Sequence, residues 1–131
     1  MKTRLVDRAG YPLFLERAQE FLSAAHSSLD RGHMQAATSN SVHAAIAAMD
    51  AVTVFHAGKR SASDRHEETV DLVRSLGLAD AELSKRLIQL GRLLGMKTRA
   101  EYANARIKRR EAEDAVRTAD RIVTWTRGHL P

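Results

Sequence analysis

Apolar residues recur along this chain at three- and four-residue intervals, the spacing that gathers them on one side of an α-helix. Five such stretches can be read. The first runs from about Pro12 to Arg31, with Phe14, Ala18, Phe21, Leu22, Ala25 and Leu29 on one stripe; proline suits its first turn and Gly32 ends it. The second runs from about Met34 to His56. Val42, Ala45, Ile46, Met49 and Val52 or Thr53 mark its apolar side, and Gly58 stops it. Its many alanines let neighbours approach closely on more than one side, as in the central helix of a bundle or in a dimer interface. A short third helix is predicted from about Arg65 to Leu76, with Asp64 as cap, Glu67 completing a capping box, and Val70, Val73 and Leu76 inward. The fourth runs from about Ala81 to Asn104, capped by Asp80, with Leu83, Leu87, Leu90 and Leu94 on one stripe. The fifth runs from about Arg110 to Arg127, with Ala112, Ala115, Val116, Ala119, Ile122 and Val123 on its core face. Short connections between such helices predict an all-α fold: a compact antiparallel bundle of four to five helices in one domain, residues 1–131.

Composition narrows the chemistry. There is no cysteine, so thiolate metal sites and disulfides are excluded. The six histidines are scattered and show no HExxH spacing, so neither a metal nor another cofactor is expected. No Gly-rich phosphate loop and no GxSxG elbow occurs. No apolar run approaches the roughly 20 residues that cross a bilayer. The N-terminal segment lacks the apolar centre of a secretion signal, so a cytoplasmic protein without membrane attachment is expected.

Charge changes the picture further. Between Lys85 and Arg110 stand nine basic residues (Lys85, Arg86, Arg92, Lys97, Arg99, Arg106, Lys108, Arg109 and Arg110) and one acid, Glu101. The chain as a whole carries +5, so everything outside this window is net acidic. Such segregation makes a face that attracts phosphate, unless the charges only solvate a helix. Within the window, Lys97, Arg99 and Tyr102 close the fourth helix and Arg106, Lys108, Arg109 and Arg110 follow. Together they offer phosphate contacts and an aromatic plane on which a base can stack. A second constellation is Arg60 with His66. Arginine can hold a phosphodiester, and a histidine at a helix start, kept neutral by the helix dipole, can move a proton. His43, with Asp50 two turns away on a similar face, reads as a buried, hydrogen-bonded residue.

Three segments together resemble the HEPN superfamily of small helical nucleic-acid-associated domains. They are the Ala-rich second helix with its polar start (SNSVHAAIAAMDAVTVFHAGKR), the loop opening a short helix with His then an acid (SASDRHEETVDLV), and a penultimate helix closing on KTRAEY before EAEDAVRTADRIVTW. The likeness covers roughly Leu13 to Trp125 and is nearest to compact stand-alone bacterial members. It implies a helical bundle, often a homodimer. Many members are metal-independent endoribonucleases whose Arg and His, four to six residues apart, come from both subunits; others bind or scaffold, or partner nucleotidyltransferases. In this sequence Ala100 stands where the nuclease histidine is expected, and no histidine lies between His66 and His129. Arg60 and His66 have the spacing but sit in a different element. The expectation is therefore an RNA- or nucleotide-binding or protein-interaction module, dimeric, rather than a catalyst. The alternatives are a metal-free endoribonuclease of a toxin–antitoxin or defence system using Arg60 and His66, and a structural partner for a protein encoded by a neighbouring gene.

Overall fold

The computed structural model describes residues 1–98 and 104–131 in full and residues 99–102 as backbone. Five helices appear, α1 (Tyr11–Asp30), α2 (Met34–Ala57), α3 (Glu67–Ser75), α4 (Ala81–Tyr102) and α5 (Arg109–His129), within a residue or two of the predicted bounds. Pro12 lies in the first turn of α1, and the helix ends where Gly32 adopts φ +77°, its amide and that of His33 bonding back to the carbonyls of Leu29 and Ser28. Asp80 caps α4 as expected: its Oδ1 accepts from the amides of Glu82 at 2.9 Å and Leu83 at 3.1 Å.

The third helix departs from expectation. It starts at Glu67 with His66 at the N-cap position, and no side chain caps it. Asp64 does not take that role because the preceding loop forms its own turn, in which the Arg65 amide donates to Ser63 Oγ and Glu68 bonds to the Arg65 carbonyl. His66 thus stands just outside α3, not in its first turn.

A two-stranded antiparallel ribbon is also present, β1 (Thr3–Leu5) and β2 (Lys59–Ser61), paired Thr3↔Ser61, Arg4↔Arg60 and Leu5↔Lys59. Strands of three residues carry no readable alternation, so nothing in the sequence announced them. The ribbon is continued by the Val6 amide, which bonds the Gly58 carbonyl at 2.9 Å, and is followed by a 3₁₀ turn at Arg8–Gly10.

α2 is the axis. It packs against α1, α3, α4, α5 and β2, and Ala37, Val42, Ala44, Ala45, Ala48, Met49, Ala51, Val52 and Val54 are fully enclosed. The alanine-rich faces therefore meet the chain's own helices; of the two readings of this helix, the central one holds. Methyl-sized side chains let α1 lie close along α2, while the bulk of the core comes from Leu72, Leu87, Leu90, Leu93, Ile122 and Val123 on the surrounding helices. The predicted leucine stripe of α4 and the whole predicted core face of α5 are buried. Thr38, Ser41 and Thr126 are buried as well, each hydroxyl donating to a carbonyl of its own helix. No helix is long and apolar enough to cross a membrane, among the described residues.

Candidate functional site

Polar groups concentrate along one flank of the α1–α2 seam, where the loop from β2 to α3 passes over α2. Seven residues separate His43 from Asp50, two helical turns or about 10 Å along the axis. They mark the two ends of the site.

At the His43 end the imidazole lies against Phe21 of α1, ring centroids 5.2 Å apart, and meets the His66 ring edge-on at 5.8 Å. His43 is half-buried rather than enclosed. Burial first, then the charge of Lys97 and the proximity of His66, hold it below its ordinary value of 6.5, so it is a neutral imidazole at physiological pH. Lys97 stands on the last part of α4, near enough for its positive charge to act on His43. A phenyl ring, two imidazoles and an ammonium thus come from four separate elements: α1, α2, the β2–α3 loop and α4.

At the Asp50 end a carboxylate is buried, 7% exposed, on the enclosed axis. Arg60 of β2 approaches it with Nη1 3.9 Å from Oδ2, and Oδ1 is buried without a hydrogen-bond partner. The Arg60 guanidinium lies 5.7 Å from the Phe14 ring centroid, and that of Arg17 lies 5.1 Å from the same centroid. Burial pushes the Asp50 carboxyl up to about 7, opposed by the positive charges of Arg60 and Arg17.

The two residues singled out as a hydrolytic pair are therefore placed at opposite ends. His66 faces His43, and Arg60 faces Asp50. The cationic window is divided too. Lys85 and Arg86 pair with Glu82 on their own helix, at 3.3 and 3.0 Å, and these contacts draw the Glu82 carboxyl below its usual range. Arg109 pairs with Glu113 at 3.0 Å. Arg92 turns toward a groove of about 320 Å³ between α4 and α5, shared with Arg117 and Arg121. Arg106, Lys108 and Arg110 are exposed, and no ion pair engages them among the described residues. The side chains of Arg99 and Tyr102 lie outside the described residues.

Sequence reasoning missed Arg17 and gave Asp50 no role. Arg17 stands three residues after Phe14, one turn along the same face, which is a readable signal.

An α-helical bundle with a polar seam beside its central helix, its end approached by a cationic segment, is the class of protein that these features define. The family model for the HEPN domain matches residues 11–129, and the chain belongs to the HEPN family. No curated protein and no solved structure matches it.

Proposed function

We propose that this HEPN protein is an RNA- or nucleotide-binding module rather than a nuclease. Its contact surface begins at His43, His66 and Lys97 and continues through Arg99, Tyr102, Arg106, Lys108, Arg109 and Arg110. The observation that carries the reading is the ring cluster of Phe21, His43 and His66, 5.2 and 5.8 Å between centroids, which the positive charge of Lys97 acts on. Phosphate contacts to Lys97 and the exposed Arg106, Lys108 and Arg110 position a strand, and a nucleobase or ribose hydroxyl meets the imidazoles. Arg60 reaching Asp50 while His66 meets His43, together with Ala100 where the nuclease histidine is expected, supports binding over hydrolysis.

Fluorescence anisotropy with a single-stranded RNA oligonucleotide between 50 and 200 mM salt tests this. Affinity falls with salt, and the double variant Lys97→Ala, Arg99→Ala lowers the log–log slope by about 1.4, two single-strand phosphate contacts. Absence of binding at the lowest salt refutes the reading. RNA cleavage in EDTA that disappears in His66→Ala would replace it with the endoribonuclease.

A further inference from the structure

Asp50 and the arginines around it ask for an explanation that packing does not give. A buried carboxylate next to a guanidinium ordinarily closes a two-pronged hydrogen-bonded fork. Here Arg60 stops at 3.9 Å, Oδ1 stays unpartnered, and the guanidiniums of Arg60 and Arg17 both lie against the Phe14 ring, 5.7 and 5.1 Å from its centroid. Both cations are held near this one ring beside Asp50, so an anion that comes within reach of it meets two positive charges. The ribbon adds a third: Arg4 lies directly across from Arg60, and cross-strand partners share a face. The charged groups that face Asp50 are Arg60 from β2 and Arg17 from α1.

We propose that Arg4, Arg17 and Arg60 form a phosphate-binding site and that Asp50 is its proton-operated counter-ion, drawing Arg60 back when ionised and releasing it to a phosphate group when protonated. The site lies about two helical turns from the His43 patch along the same seam, so one RNA strand spans both. The chemistry is that of any phosphate oxygen. An RNA backbone is the source that rests on the preceding reading; a small free oxyanion satisfies the same arginines without it.

Asp50 titrates near 7, so about a tenth of the molecules carry its proton at pH 8 and about nine-tenths at pH 6. If only the protonated form binds, apparent affinity at this site is roughly tenfold tighter at pH 6 than at pH 8. Two non-titrating probes separate the sources: a single-stranded RNA oligonucleotide, followed by anisotropy, and sulfate, followed by its shift of the melting temperature against chloride at matched ionic strength. In Asp50→Asn the pH 8 affinity rises to the wild-type pH 6 value. Whatever pH dependence remains belongs to the histidines and disappears in His43→Gln with His66→Gln. Arg60→Gln and Arg17→Gln, on exposed or half-exposed positions, lose binding at pH 6 and keep the fold. Calorimetry of the wild-type protein in buffers of different ionisation enthalpy gives a second readout that needs no variant: net proton uptake on binding at pH 7.5. Tighter sulfate binding at low pH without RNA binding retains this site and removes the RNA reading. Binding whose pH dependence is the same in Asp50→Asn as in the wild type, no binding of either probe, or binding without proton uptake, overturns the proposal.

Discussion

Replacing Asp50 by asparagine should stabilise the protein, and by an amount that grows with pH. The folded protein holds the Asp50 proton up to about 7, whereas the unfolded chain releases it at its ordinary 3.8. The folded state therefore binds the proton more tightly. The associated stability is complete below 3.8 and is lost as pH rises through 7. Each pH unit in that window removes about 1.4 kcal/mol, so the whole excursion is on the order of 4 kcal/mol. Asparagine keeps the shape of the neutral acid and has nothing to titrate. Between pH 5 and 7 the stability difference in favour of Asp50→Asn should widen by about 2 kcal/mol and then level off above pH 8. Urea unfolding of both proteins at pH 5, 6, 7 and 8, with unchanged m-values, reads this directly, since every other titrating group cancels in the difference. Parallel stability curves would show that Asp50 ionises as it does in the unfolded chain and would refute the reasoning. Arg60→Gln supplies the complementary sign. Removing a charge that favours the ionised carboxyl carries the pH-dependent loss of stability to higher pH and makes its total larger, at the same slope per unit.

Two further outcomes can be checked. Gly58→Ala should cost more than Gly77→Ala: both positions have positive φ, +64° and +65°, but a methyl at Gly58 meets Arg8 Cγ at 3.2 Å and the Val6 carbonyl at 3.3 Å, whereas nothing lies within 4 Å at Gly77. Chemical denaturation should give about 1 kcal/mol for the second, the backbone term alone, and at least about 1 kcal/mol more for the first. At the far end of the bundle, His56 and His129 share a hydrogen bond with Nε2 atoms 3.0 Å apart, and His129 stacks on Trp125. Burial, then His129 and Arg8, hold His56 below 6.5, so the unfolded chain protonates first; the pair's contribution is present above 6.5 and is lost as pH falls through the folded value. His56→Gln should flatten that acid-side loss in thermal melts followed by Trp125 fluorescence, and an unchanged profile would contradict it.

The helices were legible because their residues obey one period and their ends carry local chemistry. Asp80 caps α4 through bonds to amides two and three residues on, and Gly32 terminates α1 through its own backbone. The third helix starts two residues later than expected because two local solutions compete over SASDRH. The serine turn at Ser63 wins over a cap from Asp64, and that choice depends on where β2 delivers the chain. The site was legible only in pieces. Arg60, His66 and Lys97 stood out by residue type. That His66 meets His43 while Arg60 meets Asp50 depends on how the β2–α3 loop lies across α2, a tertiary fact without a sequence period. Arg4 was invisible because a three-residue pairing, not a motif, brings it opposite Arg60.

The axis of this fold is built from the smallest side chains that still favour a helix, and this decides where new properties can arise. Ala44, Ala45, Ala48 and Ala51 have no exposed surface, so growth at any of them pushes against a neighbouring backbone or side chain. Variation that keeps the architecture is confined to the outer partners along the seam: Arg17 and Phe21 on one side, Arg60 and His66 on the other. Two such proteins can therefore share an almost unchanged spine and differ entirely in what they grip.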